Sequence, residues 1–231
     1  MIILLPALDE ADHLPGVLTR IAASGLQTEI VVVDDGSQDE TAEVARSHGA
    51  TVLSHPFNLG YGAAIQTGYK YALRRGVSSL VQMDADGQHD PSVLRNLLAP
   101  IERGEFDLVL GSRFVEDTGY QMGTTRTLGR RLLRMLGSIA GVDVSDPTTG
   151  LQAMNRRVLK LYTRDFFPPD YPDVDVLATA ARSGIRILEV PAAMNEGGRP
   201  SRLHGGLRGF YYAYKMLLSI WAAMLRRETL Q

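Results

Sequence analysis

The chain has 231 residues, 45% of them hydrophobic, with 24 Lys plus Arg against 26 Asp plus Glu and a formal charge of −2. That balance excludes disorder as the dominant state and lacks the basic stripe of a nucleic-acid binder. The absence of cysteine excludes disulfides, thiol nucleophiles and thiolate metal sites, and fits a reducing compartment.

Met1-Ile2-Ile3-Leu4-Leu5 runs straight into Pro6 and the acids Asp9, Glu10 and Asp12, which does not read as a secretory leader; a cytoplasmic location is expected. From residue 1 to about 111, short β-branched runs alternate with helical patterns, the signature of βαβ units and a mostly parallel sheet. The predicted strands are Ile2–Leu5, Glu29–Asp34, Thr51–Ser54, Ser79–Met83 and Asp107–Leu110. The predicted helices between them are Leu14–Ala23, Asp39–His48, Gly62–Arg75 and Pro91–Arg103, with apolar residues three and four apart. Beyond residue 111 the pattern predicts a basic helix over Thr127–Ala140, an apolar run Leu151–Met154, a helix over Asp173–Arg182, a strand Arg186–Glu189 and a last helix.

In parallel sheets ligands bind beyond the carboxyl ends of strands, and three strands here run into acids: Asp9-Glu10, Asp34-Asp35 and Asp84-Ala85-Asp86. They are expected to converge on one crevice. Asp84 and Asp86, one small residue apart, can face the same ligand, and oxygen-rich sites favour Mg²⁺ or Mn²⁺ with a diphosphate completing the shell; Gln88 adds a neutral oxygen. The competing reading is an acidic turn before a capped helix. Asp34-Asp35-Gly36-Ser37 is placed to meet ribose hydroxyls or a base N–H, and Ser37 with Glu40 also reads as a capping box. Asn58-Leu59-Gly60-Tyr61-Gly62 offers glycines for close backbone approach. A hydride-transfer cofactor is disfavoured because no G-x-G-x-x-G follows the first strand. His13, His48, His55, His89 and His204 lack close metal-ligand spacing; His89 beside the acids is the one nearest a ligand.

Taken together and in order, Pro6-Ala7-Leu8-Asp9-Glu10, Val33-Asp34-Asp35-Gly36-Ser37, Asn58-Leu59-Gly60-Tyr61-Gly62, Asp84-Ala85-Asp86-Gly87-Gln88, Gly111-Ser112-Arg113 and Asp146-Pro147-Thr148-Thr149-Gly150 resemble the inverting glycosyltransferases of the dolichyl- and polyprenyl-phosphate sugar synthase group. The resemblance implies a glycosyltransferase-A α/β fold, a mostly parallel sheet flanked by helices, with a catalytic domain over 1–203 and an amphipathic or interfacial helix over 204–231. It implies a UDP- or GDP-sugar donor, Mg²⁺ or Mn²⁺, and polyprenyl phosphate as acceptor. Carried over residue by residue, it puts Pro6, Leu8, Glu10, Asp34, Asp35, Asn58, Gly62, Asp84, Ala85 and Asp86 against the nucleotide sugar. Asp84, Asp86 and Gln88 match the metal site, and Arg113 and Arg202 match acceptor or diphosphate phosphates. Asp86, Arg113, Asp173, Asp175 and Arg202 are the catalytic candidates. In related transferases acting on hydroxyls an acid near Asp173 and Asp175 is the general base, whereas a phosphate acceptor needs little proton removal.

Two basic stretches bear on the acceptor. Arg126, Arg130, Arg131 and Arg134 lie among Leu128, Leu132, Met135, Leu136 and Ile139, an arrangement that suits a helix lying on anionic lipid and suits a packed surface helix nearly as well. Arg199, Arg202, Arg208, Arg226 and Arg227 flank the 16-residue apolar run 210–225, which has Lys215 inside it and is short of the roughly 20 residues needed to span a bilayer. Peripheral association with an anionic membrane surface at the cytoplasmic face is therefore expected, with a homo-oligomer or a membrane-protein partner as added anchorage and no nucleic-acid partner. Two alternatives stand beside this reading. One is a soluble inverting transferase acting on a small-molecule or polysaccharide hydroxyl with Asp173 or Asp175 as base; the other is a non-catalytic nucleotide-sugar-binding protein.

Overall fold

The structure, a computed structural model, describes residues 1–115 and 124–193 and, beyond them, 215, 216, 218–223 and 225. Seven strands form one sheet in the order β3-β2-β1-β4-β6-β5-β7. They are β1 (Ile2–Ala7), β2 (Glu29–Asp34), β3 (Thr51–Ser54), β4 (Ser79–Gln82), β5 (Leu108–Ser112), β6 (Gln152–Asn155) and β7 (Ile187–Pro191). All pairings are parallel except those of β6, which lies antiparallel between β4 and β5.

The α-helices are α1 (Leu14–Ala23), α2 (Thr41–Ser47), α3 (Tyr61–Arg74), α4 (Leu94–Glu102), α5 (Thr124–Ile139), α6 (Arg156–Tyr162) and α7 (Val174–Arg182). Both faces of the sheet are covered, so the central strands are apolar on both sides. Ile2, Leu4, Val31 and Val33 face a core shared with α3, α6 and α7, while Ile3, Leu5 and Val32 face one shared with α1 and α4. Close packing demands glycine in α3: a Cβ on Gly68 would stand 2.2 Å from a Leu4 methyl.

Several expectations shift here. Ser37 and Glu40 do not form a capping box; α2 starts at Thr41 with Glu40 at its cap position, and the Ser37 hydroxyl instead accepts the backbone N–H of Asp9 at 3.0 Å. Asn155 caps α6, a helix the apolar pattern does not announce, by accepting the N–H groups of Arg157 and Val158. In α5, Met135 and Ile139 are exposed while Leu133 and Leu136 pack against the core.

In the C-terminal segment Met216, Ile220 and Ala223 are buried in the core shared with α3 and α7, whereas Leu218, Trp221 and Leu225 are exposed. Lys215 is ion-paired with Asp170 and lies 5.5 Å from the centre of the Tyr171 ring. Part of the apolar run thus faces protein, and this lysine is committed to a carboxylate. No helix among the described residues is long and apolar enough to cross a membrane.

Candidate active site

At the carboxyl ends of β1, β2 and β4 lies a cavity of about 450 Å³. Its walls carry Glu10, Asp35, Asp84, Asp86, Asp170 and Asp173, so the three strand-end acidic clusters do meet, joined by acids from the turn before α7. Tight cross-ties hold the rim: Asp9 Oδ1 accepts the Gln38 N–H at 2.9 Å and the Glu10 N–H donates to Thr41 Oγ1 at 2.9 Å.

Pro6, Leu8, Glu10, Asn58 and Ala85 line the cavity as expected, and so does Asp35. Asp35 is almost fully buried and accepts Leu59 N–H on Oδ1 and Gly60 N–H on Oδ2, both at 2.9 Å. Asp34 does not line it; its Oδ1 closes the turn by accepting the Ser37 N–H at 3.0 Å. Gly62 also stands outside the lining. Its role is close packing, since a Cβ there would lie 2.1 Å from the Pro168 carbonyl.

Asp84 and Asp86 both face the cavity. Asp84 accepts the Tyr61 hydroxyl at 2.9 Å, and His89 Nε2 lies 3.5 Å from its other oxygen. Burial works against the charge of Asp84, but His89, the Tyr61 hydroxyl and the positive Arg113 outweigh it and lower its pKa. Burial, and then the neighbouring Asp84 charge, push Asp86 the other way. Such a split between adjacent carboxylates marks crowded negative charge. Both ring nitrogens of His89 are buried without a hydrogen-bond partner among the described atoms.

These features fit a divalent cation held by two carboxylates. Among the described residues no group of three or more His, Asp or Glu side chains is arranged to hold an ion alone, so the rest of the shell has to come from substrate oxygens and water, as is usual for Mg²⁺. Gln88 is placed differently from the expectation: it is outside the cavity lining, and its backbone N–H donates to Asp86 Oδ1 at 3.0 Å.

Arg113 does not line the cavity. Its guanidinium grips the fully buried Asp146 through two bonds of 2.6 Å and reaches Thr148 Oγ1 at 3.2 Å. Glu189 in turn anchors that turn by accepting the N–H groups of Ser145 and Asp146. Arg202 lies outside the described residues. Of the acidic pair near α7, Asp173 lines the cavity and Asp175 does not. Asp175 is buried beneath, accepting the N–H groups of Asp173 at 3.2 Å and Val176 at 2.9 Å; burial raises its pKa.

Sequence reasoning missed Tyr61, Tyr69 and Gln82. Gln82 donates to both the Tyr61 hydroxyl and the Gly150 carbonyl, and its Oε1 accepts the Tyr69 hydroxyl. A glutamine directly after the apolar pair Leu80-Val81, at the carboxyl end of the buried strand Ser79–Gln82, was the available signal.

The fold and this acid-lined crevice at the strand ends define a nucleotide-sugar transferase of the glycosyltransferase-A type. The chain belongs to glycosyl transferase family 2, whose model matches residues 2–162, and it is a glycosyltransferase. Among characterised relatives, the polyprenol monophosphomannose synthase of Mycolicibacterium smegmatis is 33% identical over 84% of this chain and 77% of its own. Among solved structures, glucosyl-3-phosphoglycerate synthase from Mycobacterium tuberculosis in complex with Mg²⁺ and UDP superposes with a TM-score of 0.72 at 26% identity, covering 95% of this chain and 78% of that one. Its complex with Mn²⁺, UDP-glucose and phosphoglyceric acid matches with a TM-score of 0.72 at 22% identity over 98% of this chain and 80% of that one.

These structural matches correct the narrower expectation. The resemblance to the polyprenyl-phosphate sugar synthase group gives way to the broader family, because nearly the whole chain superposes on glucosyl-3-phosphoglycerate synthase at 26% identity. Polyprenyl phosphate as acceptor, the anionic membrane surface as partner and peripheral membrane association are corrected with it. The physical reason lies in the site: Arg113, expected on phosphate, is bound to Asp146, and the cavity wall carries the carboxylates Asp170 and Asp173 on the side of α7.

Proposed function

We propose that this protein transfers a hexose from a UDP-sugar to a hydroxyl of a small-molecule acceptor, with inversion at the anomeric carbon. The observation that carries this reading is that Asp173 and the Asp84/Asp86 pair face into one cavity. A hydroxyl nucleophile needs a general base; of the two acids that the turn before α7 puts in the wall, Asp170 is committed to Lys215, and Asp173 is assigned the role. The UDP-bound and UDP-glucose-bound states of the structural neighbour support the choice of donor.

Asp35, Asn58 and the Pro6–Glu10 rim hold the nucleoside, while Asp84 and Asp86 face the diphosphate. Mg²⁺ or Mn²⁺ bound by these two acids supplies charge neutralisation to the departing diphosphate. The acceptor oxygen forms a bond to the anomeric carbon, and Asp173 takes its proton. The bond from that carbon to the β-phosphate oxygen breaks, and UDP leaves with the electron pair. Asp175 keeps the Asp173 backbone in place.

The test incubates protein with Mn²⁺, UDP-glucose and a panel of hydroxyl acceptors that includes 3-phosphoglyceric acid, followed by mass spectrometry and NMR of the new glycosidic bond. Metal-dependent product of inverted configuration is expected. Retained configuration would overturn the single displacement, and donor hydrolysis without transfer to any hydroxyl would overturn the acceptor class.

A further inference from the structure

His55, immediately after β3, has no part in the chemistry above, yet both of its ring nitrogens are engaged. Nδ1 lies 2.7 Å from Asp35 Oδ1 and Nε2 lies 2.9 Å from Thr67 Oγ1 on α3. Its backbone N–H donates to the Asp34 carbonyl at 2.8 Å, so the residue is fixed against the end of β2. Asp35 Oδ1, which also accepts the Leu59 N–H, is the acceptor in this pair and Nδ1 the donor; the Thr67 hydroxyl can donate to or accept from Nε2.

Asp35 carries more than a ligand-facing role. The same carboxylate holds the turn directly before α3 through the N–H groups of Leu59 and Gly60. Few apolar contacts secure this loop, since Phe57 and Leu59 are 63% and 41% exposed. Gly36 lets the two turns touch: a Cβ there would fall 2.5 Å from the Phe57 carbonyl carbon. Directly after Gly60, Tyr61 reaches Asp84.

We propose that His55 is a positioning residue for donor binding: bridging Asp35 and Thr67, it fixes the 55–60 loop and the first turn of α3, and thereby sets both the carboxylate facing the nucleoside and the hydroxyl facing Asp84. This rests on the donor reading above and adds to it a link between the nucleoside and diphosphate ends of the crevice. The donor to Asp35 is the feature that matters, so an asparagine, whose amide nitrogen stands near the position of Nδ1, preserves the function. A glutamine, whose amide reaches toward Nε2, does not.

Calorimetric titration of UDP in the presence of Mn²⁺ tests this on the full chain. His55→Ala and His55→Gln should weaken UDP binding about tenfold, as for loss of one hydrogen bond to a charged group, and His55→Asn should stay within about threefold. In steady state the same variants raise KM for the donor and leave kcat within about threefold. UDP affinity unchanged in folded His55→Ala would overturn the proposal, as would a His55→Asn variant as weak as His55→Gln. If His55→Ala does not fold, the asparagine and glutamine pair decides by the same criterion. Wild-type protein that binds no UDP would overturn the donor reading itself, an outcome separate from any ranking among the variants.

Discussion

The Tyr61 hydroxyl donates to Asp84 Oδ1 at 2.9 Å while accepting the Gln82 amide at 2.9 Å, so its proton is directed at the carboxylate rather than shared. Burial, followed by the Asp84 charge, raises the pKa of that hydroxyl well above the ordinary value, and the donor is retained at any working pH. Tyr61→Phe keeps the ring and removes the bond. We expect Mn²⁺-dependent UDP binding to weaken by about 1–2 kcal/mol, the range for a hydrogen bond to a charged group, with the melting temperature little changed. Calorimetry with and without Mn²⁺ checks whether the loss is confined to the metal-dependent part.

A methyl group at Gly150 would stand 2.5 Å from one Asp84 oxygen and 2.8 Å from the other. Gly150→Ala must therefore push the carboxylate aside. Displacements of about 1 Å at a reacting centre cost on the order of 100-fold in rate, and a loss of that size in kcat/KM is the expected result. Circular dichroism should show the fold intact, because Gly150 has no positive φ to strain.

The two acids near α7 separate by function. Asp173→Asn should lower kcat by about 10²–10⁴-fold, as for loss of a general base, with UDP affinity unchanged in titration. Asp175→Asn should keep most activity, since an amide oxygen can accept the same two backbone N–H groups. Its effect is on stability. A carboxyl whose pKa is raised by burial favours the folded state when protonated, and that advantage disappears as pH rises through the folded-state value. Asp175→Asn should then be at least as stable as the wild type at pH 7–8, by thermal melts.

Far from the cavity, Asp107 provides a pH test with the opposite sign. Burial opposes its charge, but Arg186, through side chain and backbone, and Asn155 bring its pKa from 3.8 down to about 2. A lowered carboxyl pKa stabilises the fold above about pH 4, and that contribution is lost as pH falls toward 2. Because both arginine partners are half exposed, screening limits it to about 1–2 kcal/mol. Asp107→Asn should remove that part of the acid-limb slope in urea unfolding measured from pH 6 to pH 2.

Buried parallel strands were legible because apolar runs such as Ile30-Val31-Val32-Val33 end abruptly in acids, and that same break located the crevice. Arg113 shows what a linear reading lacks. Motif order placed it on phosphate, but its partner Asp146 lies 33 residues away, and only the antiparallel insertion of β6 brings the two together at 2.6 Å. Asp34 and Asp35 look alike in sequence, yet alternation along the chain turns one into the backbone turn and the other into the cavity. Tyr61 read as a loop residue between glycines; its reach to Asp84 depends on α3 starting directly after Gly60, whose φ of 103° closes the turn.

The reversed strand β6 has a consequence for how such an enzyme can change over evolutionary time. β1, β2 and β4 run into the acids Glu10, Asp35, Asp84 and Asp86 of the crevice, whereas the turn at Asp173 comes from the second half of the chain, after β6. β6 is stitched between β4 and β5 with residue-by-residue pairing on both edges, so the second half cannot be exchanged as a cassette without breaking the sheet. Change on that side of the crevice is therefore confined to substitutions in the turns that border it, which leave the strand pairing intact.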